Sequence, residues 1–453
     1  MLGGMLAILA SRTATADDGA SAGEDRFTFS AHSETSAQLF RRALLPGSNG
    51  ALVATETALP ITEYVVLSAR DVDTPWERDS VDLELSLWGR VGLQALAEQR
   101  TLDGDVQSAY VRQRLGAATV RLGRQQVAGG AARYARIDGL DLTWRFGRGL
   151  WAEAYGGFTV MPRWNERPSY LYLGTAADSG VRRLAETPAA ARDSLWQAGA
   201  RLGLTGTRGD AVLSFHEQHE ALGLSHRNLG ADARLVFSQR ATLGGKGILD
   251  LDASRFADAA LFLDYVVSRH LDVSLDYFHT EPALLLSRQS VLAVFSSDSY
   301  EEVGGAVRVH PLSSLTLQAL GFANAYSSGD GGGRAELSVS SWLETRRLTF
   351  ARLAYARVAA PDNGYHSLRA SLARKLGGAF TSTLEGYYYF YERPIRGFRS
   401  SSVYAATLSY RAVSSVSLLA GASLARTPDA SLDAQGQLRV SCDFDFVRRR
   451  RGL

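Results

Sequence analysis

The sequence predicts an all-β protein: a single transmembrane antiparallel β-barrel of about 18 strands, in a range of roughly 16–20. Three observations predict it. Apolar and polar residues alternate along long segments. Charged residues recur in mid-segment on the polar face. Tight and long connections alternate between the segments. Side chains on a strand point to opposite faces in turn, so such a segment has one greasy and one wet side. Mid-strand charge repeated towards the C-terminus fits a wall with hydrocarbon outside and water inside.

The stretch Ala117–Val160 shows the pattern most clearly. Leu140, Leu142, Trp144 and Phe146 share one face, while Asp141, Thr143 and Arg145 share the other. A Gly147-Arg148-Gly149 turn follows, and alternation resumes through Ala152, Ala154 and Phe158. From Ser80, residues Val81, Leu83, Leu85, Leu87, Val91 and Leu93 alternate with Asp82, Glu84, Ser86, Trp88, Arg90 and Gln94. That run exceeds the roughly 9–11 tilted residues needed to cross a bilayer. Similar faces recur at Leu229–Phe237, Ala259–Tyr265, Leu271–Tyr277, Val303–Val309, Leu368–Leu372 and Val416–Leu424, and the last runs through Leu438, Val440, Cys442, Phe444 and Phe446. About 20 candidate strands can be counted; Leu249–Ala253 and Ala259–Val267 are the weakest as separate strands, hence the lower expectation.

Composition agrees. The chain has 453 residues, 44 glycines, 18 tyrosines, 18 phenylalanines and only 11 prolines, which suits many strands joined by turns. It lacks any run of about 20 apolar residues, so membrane helices are excluded. A net charge of +2 gives no basic surface for nucleic acid. Cys442 is the only cysteine, so neither an internal disulfide nor a cysteine zinc site can form; its place on the apolar register makes it a small lipid-facing or packed residue.

The expected organisation is a signal peptide over 1–16, an N-terminal periplasmic tail or plug over 17–79, the barrel over 80–447 and a basic tail over 448–453. The signal rests on apolar Met1–Ala10 and the Ala14-Thr15-Ala16 cleavage pattern; it lacks the usual preceding Lys or Arg, as if shortened. Ile61–Asp73 could be a strand or part of a plug. Tight connections are expected at 147–149, 206–210, 268–270, 310–313, 344–347, 375–378 and 412–415. Longer ones are expected at 128–137, 161–193, 217–228, 280–299, 326–333, 391–401 and 427–431.

Inward positions carry the candidate chemistry. Alternation turns Arg90, Arg121, Arg145, Arg201, Arg234, Arg308 and Arg369 to the lumen, since a charge facing lipid costs roughly 2–4 kcal/mol at mid-membrane. Rings of arginine favour anions; alternatively these groups pair with inward acids such as Asp141, Glu153, Asp232, Asp250, Asp252, Asp264, Asp272 and Asp276. Trp88, Trp151 and Tyr155 also face inward, where aromatic rings could stack on sugars or simply pack the lumen. The aromatic run Tyr387–Tyr391, with Trp144, Trp196, Trp342 and Tyr410, reads as membrane-interface girdle. His216, His219, His279 and His310 lie at strand ends or loops without G-x-S-x-G, H-E-x-x-H or nucleotide-binding glycine patterns, so no enzyme, metal or cofactor is expected.

The segment Val120–Gly139 (VRLGRQQVAGGAARYARIDG) resembles the alginate-export and exopolysaccharide-secretion type of outer-membrane porin. The matching positions are Gly123, Arg124, Gln125, Gly129, Gly130, Arg133 and Asp138, within about 50 residues. The resemblance implies a barrel of about 18 strands with an electropositive pore for a polyanionic or uncharged glycan. It implies Arg121, Arg133, Arg136 and Arg145 as first contacts for the polymer. The function expected is therefore passage of a hydrophilic solute across the bacterial outer membrane, most sharply secretion of an exopolysaccharide. A general or substrate-specific diffusion porin is the alternative within that class. A closed barrel serving as enzyme or adhesion scaffold is the alternative outside it. Expected partners are outer-membrane lipid, the solute and a periplasmic export conduit docking near Asp17–Pro60.

Overall fold

The computed structural model describes residues 26–44, 54–73, 80–93, 102–160, 195–220, 223–285, 299–361, 363–428 and 430–449. The described strands are β1 (Arg26–Leu44), β2 (Ala54–Ala58), β3 (Pro60–Asp73), β4 (Ser80–Gly92), β5 (Leu102–Leu115), β6 (Ala118–Ala128), β7 (Tyr134–Gly147) and β8 (Leu150–Thr159). They continue as β9 (Trp196–Gly206), β10 (Gly209–Glu220), β11 (Gly223–Ser238), β12 (Ala241–Asp250), β13 (Arg255–Ser268), β14 (Leu271–Thr280), β15 (Tyr300–Leu312) and β16 (Leu315–Tyr326). The set ends with β17 (Gly331–Trp342), β18 (Thr349–Ala359), β19 (Tyr365–Leu376), β20 (Phe380–Ile395), β21 (Phe398–Val413), β22 (Val416–Arg426) and β23 (Ala430–Arg449).

Each strand pairs antiparallel with its neighbour, and β1 pairs with β23 over nineteen positions, closing the sheet into a barrel. Both β2 and β3 pair with β1 in one unbroken register, Phe40 opposite Ala58 and Ala37 opposite Ile61. They are one wall strand interrupted at Leu59, so the barrel has 22 strands. The even number returns Arg26 and Arg449 to the same end. Closure pairs the first strand with the last, so the sheet has no open end strand, as hydrocarbon demands of any sheet that crosses it.

Alternation is borne out in the wall. Leu122 (60% exposed), Leu213 (59%) and Leu337 (63%) stand outward with Leu140, Leu261, Leu275, Leu384 and Leu438. Large aliphatic groups bared on this scale, every second residue around a closed sheet, define a face made for lipid. The protein is a bacterial outer-membrane β-barrel. Phe27–Phe446 and Phe29–Phe444 edge contacts, at 6.5 and 6.4 Å, flank the closing ladder. Cys442 is exposed on this outer register.

Four expectations are corrected. The barrel starts at Arg26, not Ser80: β1, β2 and β3 are wall strands where a tail or plug was expected over 17–79. Their alternation is weakened by small and polar residues (Ser30, Ala31, Ser33 and Ser36 in β1), which hides them in the sequence. A partner docking on Asp17–Pro60 would therefore meet the barrel wall over much of that stretch. The strand number is 22 because those strands add to twenty from β4 onward; Leu249–Ala253 is the end of β12 and its turn, and Ala259–Val267 lies within β13. The segments 217–228 and 391–401 are long hairpin ends, β10–β11 and β20–β21, rather than long loops. Both faces of a strand that rises beyond the bilayer are wet, so alternation stops before the strand does. At the other end β23 runs to Arg449, two residues into the expected basic tail. The expected signal peptide and the connection 161–193 lie outside the described residues.

Candidate lumenal constriction

Strand β6 leaves the wall part-way up. Its ladder with β5 stops at Ala109 opposite Arg124, although β5 continues with β4 to Leu102 and β6 continues with β7 to Ala128. At that height Gly123, Gly139 and Gly157 stand in one register row across β6, β7 and β8. Gly123 has φ +124°, and a Cβ there would lie 2.3 Å from the Ala109 carbonyl oxygen. A Cβ on Gly139 would lie 2.1 Å from the Gly156 carbonyl oxygen. Only glycine lets the strands approach and bend this way.

Above the glycine row the β6–β7 hairpin folds inward and along the wall onto β10–β13. At its tip, a single 3-10 turn at Gly130–Ala132 sets Ala131 N–H to donate to Ser214 Oγ at 2.8 Å. Arg201 donates to the Ala128 carbonyl at 2.7 Å, and Arg133 reaches Asp258 at 3.2 Å, beside Lys246 at 2.9 Å. Under the hairpin Val127, Ala132, Ala135, Ile137 and Tyr155 form a buried apolar cluster. Burying a Val- or Ile-sized side chain is worth roughly 1.5–3 kcal/mol, so Val127 and Ile137 favour the docked hairpin over one standing in water by several kcal/mol. Gln197 donates to the Arg136 carbonyl at 2.9 Å, and Gln125 to the Gly139 carbonyl at 3.2 Å.

The fold inverts the faces of the hairpin. Lower on β6 and β7, even-numbered positions such as Leu122, Leu140 and Leu142 face lipid. Above the bend the same register holds Arg124, Arg136 and Asp138, which turn to β5 instead. Arg124 grips Asp138 through two bonds of 2.7 and 2.8 Å and donates to the Val106 carbonyl at 3.0 Å. The Arg136 side chain, 3% exposed, donates to Asp105 and, at 2.9 Å, to the Val106 carbonyl. The guanidinium groups thus fill the gap where β5 and β6 no longer pair, Arg124 through a bidentate bond to Asp138 and Arg136 through Nη2 alone.

The expected site residues separate into two groups. Arg90 lies 3.7 Å from Asp103 and is buried. Arg121 pairs with Asp141 at 2.6 Å and lies 5.5 Å from the Tyr110 ring centroid. Arg133, Arg136 and Arg201 (the last also bound to Glu153) hold the hairpin. In contrast, Arg145, Arg234, Arg308 and Arg369 face the lumen exposed, with no ion pair among the described residues. Arg369 lies 4.8 Å over the Tyr387 ring. Trp151 covers Gly203, with its indole N–H 3.4 Å from Thr205 Oγ1. Tyr155 is buried over Gly199, with its hydroxyl 3.0 Å from His216 Nδ1. Trp88 is 2% exposed. These three rings pack the wall.

Two readings of aromatic residues change. Tyr387, Tyr389 and Tyr391 share the inward face with Arg369 and Tyr365, while Tyr388 and Phe390 face outward, so the run is only partly girdle. Trp342 lies on the register of Glu336 and packs 5.1 Å from Phe350. Trp144 and Trp196 do face outward, and Phe380 stacks on Tyr410 at 4.5 Å. Sequence reasoning did not assign roles to Arg124, Asp105 or the inward tyrosines. The register coincidence of three glycines was the available signal for the first two, and strict parity within Tyr387–Tyr391 for the third.

A closed 22-strand wall with an infolded hairpin and a charged lumen defines a porin-like outer-membrane barrel. No protein-family model matches the chain, and no curated protein matches it. Among solved structures it is similar to Acinetobacter baumannii OccAB4, with 8% identity and TM-score 0.42 over 92% of this chain and 98% of that one. It is also similar to Pseudomonas aeruginosa OpdK with vanillate, with 13% identity and TM-score 0.41 over 92% and 99%. A mutant of the ferric enterobactin receptor PfeA from Pseudomonas aeruginosa gives 8% identity and TM-score 0.48 over 93% and 81%.

Proposed function

We propose that the barrel is a channel for a hydrophilic solute, and that the solute is an acidic or neutral exopolysaccharide leaving the cell. The observation that carries this reading is the division of the lumenal arginines. One set is consumed in holding the hairpin, and a second set, Arg145, Arg234, Arg308 and Arg369, stands exposed along the wall. Exposed guanidinium groups in a wetted pore attract carboxylates and donate hydrogen bonds to sugar hydroxyl oxygens. A wall of 22 strands encloses more space than its own side chains fill, and the hairpin narrows it.

The dense pairing of Arg121, Arg133, Arg136 and Arg201 with acids favours a second reading, a diffusion porin with a mixed-charge eyelet. Planar-bilayer recording of the refolded protein separates the two. Interruption of an anion-biased current by oligomannuronate or maltohexaose, weakened in Arg145→Ala, is expected of a glycan conduit. A steady current indifferent to both sugars leaves the diffusion porin. Absence of any current removes the channel reading itself.

A further inference from the structure

We propose that Tyr387, Tyr389 and Tyr391 of β20, with Tyr365 of β19, form a binding track on which sugar rings stack as they pass along the lumen. This rests on the glycan reading above and adds the surface that recognises the sugar. Alternate residues of one strand are inward neighbours, so the three tyrosines form a column running along the wall over roughly 14 Å. Tyr365 stands opposite Tyr391 in register, and its ring meets Tyr389 edge-on at 5.8 Å. All four are half-buried.

The rings are steadied from beside and below. Tyr391 shares a hydrogen bond of 2.6 Å with Ser401 Oγ, and Tyr387 donates to Glu385 at 3.2 Å beneath Arg369. The adjoining inward positions of β18 and β19 are small: Ala354, Ala356 and Ser367. They leave the rings proud of the wall. The track lies on strands away from the docked hairpin, on the side of the lumen it does not fill.

Such a column offers apolar ring faces at regular spacing, interleaved with hydroxyls, one guanidinium and one carboxylate. Carbohydrate matches it: axial C–H groups lie on an aromatic face while equatorial hydroxyls reach the polar groups at its edge. An inorganic anion would gain nothing from three tyrosine rings in line. Fixed rings cost little conformational entropy on binding, and several weak stacks in series allow a polymer to move without release.

The test is dwell-time analysis of maltohexaose, a neutral probe that removes ionic attraction to arginine from the measurement, on single channels of wild type, Tyr389→Ala, Tyr389→Trp and Tyr388→Ala. Heat-modifiable migration on gels verifies that each barrel has closed. The track requires wild-type blocking events that shorten on the order of fivefold in Tyr389→Ala, persist in Tyr389→Trp, and are unchanged in the outward Tyr388→Ala. Wild-type blocking with equal dwell times in Tyr389→Ala overturns the track and leaves the glycan conduit standing. Failure of both maltohexaose and oligomannuronate to block wild type overturns the conduit and the track together. If Tyr389→Ala fails to close, the shift is read from Tyr365→Ala.

Discussion

Gly123 and Gly139 face one another at the height where β6 abandons β5, and neither has room for a methyl group. That pair turns two ordinary membrane strands into an arm that bends into the lumen and docks on β10–β13. Replacing Gly139 by valine drives a side chain into the Gly156 carbonyl. Crowding of this kind costs roughly 1–3 kcal/mol. The expected outcome is a barrel that still closes but holds its hairpin less firmly, with higher single-channel conductance than wild type. Unaltered conductance would mean that the bend does not depend on the glycine row.

Asp105 receives Arg136 and lies 3.4 Å from Arg124, so it anchors the hairpin to β5. Removing one member of a buried ion pair costs about 3–5 kcal/mol, because the other charge is left stranded. Asp105→Asn is expected to release the arm. The readouts are a larger and noisier conductance and new protease cleavage near Arg133 in the folded protein. Charge reversal at both ends, Asp105→Arg with Arg136→Asp, should restore part of the wild-type behaviour.

Arg145, Arg308 and Arg369 are exposed in the lumen and pair with no acid among the described residues. Converting all three to glutamate changes the lumenal charge by six. The reversal potential in a salt gradient is expected to move towards cation preference, while single-channel conductance changes less than twofold. Because exposed charges are screened within about 10 Å at 0.1 M salt, the shift should shrink as ionic strength rises. A reversal potential insensitive to the three changes would place the selectivity elsewhere.

Leu337 and Ser338 are neighbours in β17 that point to opposite solvents. Leu337→Arg puts a charge towards lipid and should lower refolding stability by roughly 2–4 kcal/mol in a denaturant titration into bilayers. Ser338→Arg should be near neutral. Cys442 offers an independent check of the same geometry: a membrane-permeant maleimide is expected to label it in the folded barrel and a charged maleimide to spare it.

The parts of this fold legible in the sequence are those where one face meets hydrocarbon and the other meets water. From β4 to β23 the period-two pattern follows that asymmetry, as at Leu140–Phe146 or Leu229–Phe237. It fades where the asymmetry fades. In β1 small and hydroxylated residues occupy both faces, and β10–β11 and β20–β21 rise beyond the membrane, where both sides are wet. The inward arginines were legible for the same reason, since lipid forbids them. Their division into those that are paired and those with no ion pair among the described residues was not, because it depends on a hairpin leaving its register. Arg124, Arg136 and Asp138 carry the clue in plain view: three charges on a lipid register within one hairpin, next to Gly123 and Gly139.

The nineteen-position ladder between β1 and β23 has a kinetic corollary. His32 and Asp443 meet at 2.7 Å although 411 positions separate them. Closing so long a loop has to precede any return from the contacts it makes. Until β23 arrives, β1 presents an unsatisfied row of amides and carbonyls that hydrocarbon cannot tolerate. Insertion by gradual threading, one hairpin at a time, would expose that row throughout. The wall therefore has to enter the bilayer either nearly complete or with its first strand lent to a temporary partner, and a chain cut within β23 should accumulate outside the membrane rather than form a smaller pore.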